Sequence, residues 1–179
     1  MVEVDESVAA GESPAAYVSR IAAAKADAGW QLRQQAAQSA PYLVLAADTA
    51  VVIDGEILGK PTDDEDAARM LRLLSGRTHE VLTAVALAAA DRRASCLSRS
   101  EVTFRRITAT EARDYWHTGE PRDKAGGYAI QGCGAVFVVE LRGSYTGVMG
   151  LPLYETAEFL KSAGVPLWRT ASTGKSDEQ

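Results

Sequence analysis

Tyr42-Leu-Val-Leu-Ala-Ala-Asp48-Thr49-Ala-Val-Val-Ile-Asp54-Gly55-Glu-Ile-Leu-Gly-Lys60-Pro61 is the stretch that sets the architecture of this chain. Tyr42–Ala47 is a short unbroken apolar run, which suits a buried strand. Ala50–Ile53 and Glu56–Leu58 flank Asp54-Gly55, a pair that tolerates positive φ at both central positions of a tight turn and so predicts a hairpin. Asp48-Thr49 falls directly after the apolar run. Ligands in open α/β sheets bind beyond the carboxyl ends of strands, where a carboxylate holds a divalent cation or activates water. The same position also suits an ordinary turn or cap residue.

Helical patterns lie on either side. Ser13-Pro14 is a helix start, with Ser as N-cap and Pro at the first helical position. Tyr17, Ile21, Ala24 and Ala28 follow at helical spacing, and a second helical stretch runs through Gln31–Gln38. Lys25 within this Ala-rich helix reads as a surface lysine with a packed stem, and Glu6 of Asp5-Glu6 as a solvated charge. Gly59-Lys60-Pro61 sets Lys60 just before a helix N-terminus, which suits an anionic phosphate. An exposed loop lysine is the plainer alternative. Thr62 with Glu65 predicts a capping box, Ala67, Met70, Leu71 and Leu74 form the apolar stripe, and Gly76 ends the helix.

Arg77 offers a phosphate a bidentate guanidinium, while His79 reads as a hydrogen-bonded structural histidine. Glu80–Ala90 predicts a central strand and Ser98–Arg106 an antiparallel neighbour. Thr108 with Glu111 is a second capping box, for a helix that stops at Gly119. Tyr115-Trp116 reads as core packing. Ala135–Leu141 is a further strand, and Pro152–Ala163 a last helix with Leu153, Ala157 and Leu160 on one face. Residues 1–168 form one domain, and 169–179 read as a disordered tail. This alternation predicts an α/β class with a mixed twisted sheet flanked by helices.

Asp123-Lys-Ala-Gly-Gly-Tyr-Ala-Ile-Gln-Gly132 packs an acid, a base and an amide among three glycines. Glycine serves where a ligand approaches the backbone closely or φ turns positive, so this reads as a ligand-facing loop running into a strand. Asp123 and Lys124 either pair with each other or touch the ligand.

The composition narrows the classes. With 179 residues, 46% apolar and 24% charged, the chain can bury a sizeable core. A net charge of -5 argues against binding to nucleic-acid polymers, whose footprint is a basic stripe. No apolar run reaches the roughly 20 residues needed to span a bilayer. Cys96 and Cys133 lack metal-type or redox-type spacing, which suits free thiols in the cytoplasm.

The order of these segments strongly resembles the Maf family of nucleoside triphosphate pyrophosphatases. The resemblance rests on Ala47-Asp48-Thr49 through Gly59-Lys60-Pro61, on Leu74-Ser-Gly-Arg77-Thr78-His79-Glu-Val with Thr83, on Gly119 through Gly132, and on Gly143-Ser144-Tyr145 leading to Gly150-Leu151-Pro152-Leu153. It covers roughly residues 4 to 165. It implies two lobes around a central cleft and hydrolysis of dTTP, UTP and modified pyrimidine triphosphates to the monophosphate and pyrophosphate. Asp48 matches the family's proton acceptor, and Glu6, Lys25, Lys60 and Gln131 match residues lining its site. Thr49 and Gln131 match positions associated with base selectivity.

On this reading Asp48 and Glu6 hold metal or activate water, and Lys25, Lys60 and Arg77 stabilise phosphate charge. The cofactor expected is a divalent cation, Mg²⁺ with Mn²⁺ as the alternative. A homodimer is implied as well. Family members begin with a strand and a loop carrying Ser-x-Ser-x-Arg-Arg, and no such motif lies upstream of Glu6. The expectation is therefore a shortened site with lower activity than a full-length relative. A nucleotide-binding protein of weak catalysis, linked to septum formation, is the alternative.

Overall fold

The computed structural model describes residues 3–36 and 42–168. Five strands form one sheet in the order β2-β1-β3-β4-β5: β1 (Val44–Ile53), β2 (Glu56–Leu58), β3 (Thr78–Ala88), β4 (Arg93–Phe104) and β5 (Val138–Arg142). The helices are α1 (Pro14–Gln35), α2 (Asp64–Leu74), α3 (Ala109–His117), α4 (Tyr145–Val148) and α5 (Leu153–Ser162). The α/β class is as expected. The sheet is not mixed, because every pairing among the described residues is antiparallel. The β2–α2–β3 crossover joins two strands of the same direction, but β1 lies between them, so they never pair.

β1 is a single strand of 10 residues rather than two short ones. Asp48 and Thr49 sit within it, opposite Ala84 and Thr83 of β3, and not beyond its end. The hairpin turn is as expected, with φ of 51° at Asp54 and 81° at Gly55. β2 covers β1 only at Val51, Val52 and Ile53. Residues 48–50 therefore lie on an edge with no strand hydrogen-bonded to it among the described residues.

The period-two alternation along β1 divides the core. Val51 and Ile53 face α2 and α3 with Leu71, Leu74, Val81 and Phe104. Ala50 and Val52 face α1, against Val18, Ala22, Ala26 and Trp30. The small side chains of Ala84, Ala86 and Ala88 let α1 lie close to the sheet. At Gly29 an added Cβ would come within 3.0 Å of Val44.

α1 runs unbroken where two stretches were expected, capped by the Ser13 hydroxyl. The expected end at Gln38, like the tail from 169, lies outside the described residues. Its buried line is Val18, Ile21, Ala22, Ala26 and Trp30, which shares only Ile21 with the expected stripe. α2 is capped by Asp63, whose carboxylate accepts from the Asp66 amide, and not by a Thr62–Glu65 box. The Thr108–Glu111 box is present. Residues 133–137 wind as a 3-10 turn that buries Phe137, so β5 starts later than the expected Ala135. On α5 the buried residue is Thr156, while Leu153 is 54% exposed.

Candidate active site

Lys25 follows Ile21 by four residues and Ala22 by three, so the face that packs α1 on the sheet also carries its ammonium toward β1. Lys25 Nζ stands 2.7 Å from Asp48 Oδ1 and 2.6 Å from Glu6 Oε1. This ion triad gathers three of the residues singled out in the sequence. Glu6 belongs to an irregular segment held against α1. The Tyr17 hydroxyl donates to the Glu6 carbonyl at 3.0 Å, and Arg20 Nη2 donates to the Ser7 carbonyl at 2.8 Å. Tyr17 read only as part of a helical stripe, and Arg20 carried no signal in the sequence.

Burial raises the Asp48 pKa above its ordinary value, and the neighbouring Glu6 charge adds to this, against the opposing effects of Lys25 and Lys60. Burial also works against the Lys25 charge, but hydrogen bonds to Asp48 and Glu6 outweigh it and raise the pKa. The triad therefore sets a lysine that holds its proton more tightly against a carboxylate whose proton affinity is raised.

Asp48 and Thr49 point to opposite faces of the sheet because they are neighbours in one strand. The cleft wraps around the open edge that carries them, with a volume of about 460 Å³. On the α1 side lie Glu6, Lys25 and Asp48, and on the other lie Thr49, Gln131, Met149 and Gly150. Lys60, Asp123 and Lys124 also line it. Asp123 and Lys124 form an ion pair of 2.7 Å. The Lys60 loop is tied to the glycine loop by the Gly126 amide, which donates to the Gly59 carbonyl at 2.9 Å.

Arg77 does not reach this cleft. Its guanidinium pairs with both oxygens of Asp54 at 2.7 and 2.8 Å, bracing the hairpin turn. The N-terminus of α2 is no phosphate seat either, since Asp63, Asp64, Glu65 and Asp66 surround it. His79 is structural, as expected. It is 2% exposed, contacts the Tyr128 hydroxyl through Nε2 at 2.8 Å, and burial pushes its pKa down to about 4.

The loop that presents Gln131 is clamped from beneath. Tyr128 and Ile130 are buried in the core, which leaves Gln131 exposed between anchored neighbours. Glu120 Oε1 accepts from the Tyr115 hydroxyl at 2.6 Å and the Gly134 amide at 3.0 Å, and Oε2 accepts from the Cys133 amide at 2.8 Å. The Tyr115 hydroxyl in turn accepts from the Ala129 amide at 3.1 Å. Burial works against the Glu120 carboxylate, yet these donors hold its pKa below the ordinary value. Sequence reasoning missed this clamp. Tyr115 read only as packing, and its signal was an acid five residues on, after a glycine.

Residues 1–163 match the family profile of the Maf-like proteins. The chain belongs to the Maf family. Among its relatives in that family is a protein of Saccharophagus degradans named dTTP/UTP pyrophosphatase, 54% identical over 168 residues, covering 94% of this chain and 79% of the relative. Another, from Pseudoalteromonas atlantica and of the same name, is 50% identical over 158 residues, 88% of this chain and 81% of its own. A Haemophilus ducreyi relative named nucleoside triphosphate pyrophosphatase is 48% identical over 165 residues, 91% of this chain and 82% of its own. The Maf cleft thus carries Glu6, Lys25, Asp48, Thr49, Lys60, Asp123, Lys124 and Gln131 together and leaves Arg77 outside.

Proposed function

We propose that this protein hydrolyses dTTP and UTP to the monophosphate and pyrophosphate. The observation that carries the reading is the cleft around the edge of β1, with the Glu6–Lys25–Asp48 triad on one face and Thr49 with Gln131 on the other. A nucleoside triphosphate has the same division, a polyanion at one end and a hydrogen-bonding base at the other. The names of the relatives support a hydrolase over a binding protein without catalysis.

In this reading the triphosphate lies on the α1 side and the base against residues 128–131 and 149–150. Asp48 takes a proton from water as its oxygen bonds to the α-phosphorus, and the bond from that phosphorus to the bridging oxygen breaks. Pyrophosphate leaves with the electron pair. Lys60 and Lys25 offset charge on the phosphates, with Lys25 also holding Asp48 and Glu6 in place. Gln131 donates its amide N–H to a carbonyl of the uracil or thymine edge, a contact that its donor and acceptor groups allow.

A divalent cation fits these residues. The ion pairs engage Asp48 Oδ1 and Glu6 Oε1, which leaves each carboxylate a second oxygen. No cluster of three or more His, Cys, Asp and Glu suited to metal occurs among the described residues. The two free carboxylate oxygens suit Mg²⁺, which one or two carboxylates hold together with substrate phosphates. When bound, the cation would supply charge neutralisation between the carboxylates and the phosphates. The reading extends to a homodimer, as the family resemblance implies, and to the cytoplasm, on the free thiols of Cys96 and Cys133; a single-chain mass in light scattering contradicts the dimer. No helix among the described residues is long and apolar enough to cross a membrane.

The test is pyrophosphate release from dTTP, UTP, CTP, ATP and GTP, with and without Mg²⁺, for the protein and for Asp48→Asn. The expected result is turnover of dTTP and UTP that needs the metal and falls by about 10²–10⁴-fold in the variant. Equal rates for protein and variant contradict the role of Asp48.

A further inference from the structure

Thr83 stands in the middle of β3 with 1% of its surface exposed, directly opposite Thr49. Its hydroxyl donates to the Gly147 carbonyl in α4 at 2.7 Å. A hydroxyl has one proton and a carbonyl only accepts, so the Thr83 proton is committed there. Thr49 Oγ1 lies 2.9 Å from Thr83 Oγ1. With the Thr83 proton spent, Thr49 is the donor in that contact. The Thr49 proton therefore points into the protein, and Oγ1 turns only lone pairs to the cleft. Gly150 leaves Oγ1 approachable, since even an added Cβ there would stand 3.6 Å away.

We infer that Thr83 is a positioning residue that makes Thr49 a hydrogen-bond acceptor, so that the site selects bases presenting an N–H at that point, uracil and thymine over cytosine. The inference rests on the proposed pyrimidine nucleotide reading and adds what sets its polarity. Uracil and thymine offer N3–H to an acceptor. Cytosine offers a bare lone pair at N3, which would face another lone pair and lose its own hydration without return. Gln131 cannot impose this choice alone, because its amide can turn to suit either base. Removing the Thr83 hydroxyl frees the Thr49 proton to rotate toward the cleft and satisfy cytosine.

The experiment compares kcat/KM for UTP and CTP in the protein, in Thr83→Val and in Thr83→Ser. The unaltered protein is expected to prefer UTP, Thr83→Val to reduce the UTP:CTP ratio by about tenfold or more, and Thr83→Ser to keep it. Tenfold corresponds to roughly 1.4 kcal/mol of discrimination. A purely structural role for Thr83 would lower both substrates together, and an unchanged ratio in Thr83→Val overturns the inference. Should that variant fail to fold, N3-methyl-UTP on the unaltered protein decides. A loss of about tenfold or more against UTP supports the inference, and turnover at the UTP rate overturns it. Pyrimidine triphosphates that give no pyrophosphate with the unaltered protein overturn the proposed function itself, and this inference with it.

Discussion

At the residue scale, the chemistry turns on which charges the fold gathers and which it sends elsewhere. Lys25 and Asp48 are 23 residues apart in sequence, yet they meet at 2.7 Å because one helix face packs on one strand face. Nothing local marks Lys25, because the stripe that aims it runs through Val18, Ala22 and Ala26, whose small or common side chains carry no signal of which helix face lies inward. Arg77 illustrates the converse. Its guanidinium chemistry suits phosphate, but Asp54 takes it up at the hairpin turn, 23 residues back in the chain. Arg77→Ala is therefore expected to leave kcat/KM for UTP within about twofold and to change stability by less than about 1 kcal/mol, as an exposed ion pair does. A loss of a hundredfold in steady-state turnover would put Arg77 back among the residues that touch substrate.

At the scale of elements, the hairpin, the second capping box and the stripe of α2 were legible because each is written in adjacent residues. The continuity of β1 was not. Asp48-Thr49 interrupts the apolar pattern and reads as a strand end, whereas backbone pairing to Ala84 and Thr83 carries the strand straight through. The interruption marks the site. In the glycine loop, the positive φ of Gly126 (69°) and its contact with Val51 explain a residue that composition only hinted at. A Cβ at Gly126 would lie 2.9 Å from the Val51 side chain, against a strand that cannot yield. Gly126→Ala is expected to destabilise the fold by about 1–3 kcal/mol and to lower turnover as the Lys60 loop loses its tie. Denaturant unfolding and UTP hydrolysis on the same sample check this; unchanged values for both would show that the loop relaxes freely.

For the whole molecule, the sheet edge at residues 48–50 makes one cleft from two faces, and the buried His79–Tyr128 contact ties the sheet to the loop that presents Gln131. Burial holds the His79 pKa down at about 4 from an ordinary 6.5, so the unfolded chain binds a proton that the folded one refuses between those values. Stability is then lost as pH falls through that window, by roughly 3 kcal/mol from this group. His79→Gln is expected to flatten that part of the pH dependence in urea unfolding, and a parallel curve contradicts the assignment. The α/β class was legible from the alternation of elements, whereas the antiparallel order was not, because β1 separates the two strands that the crossover joins. In the proposed reaction one face of this cleft directs water to the α-phosphorus of a pyrimidine triphosphate held by the other. Hydrolysis of UTP in ¹⁸O-labelled water, read by mass spectrometry, tests it most directly. Label is expected in the monophosphate and none in pyrophosphate; label in pyrophosphate, or release of orthophosphate as the first product, would rule out water attack at the α-phosphorus.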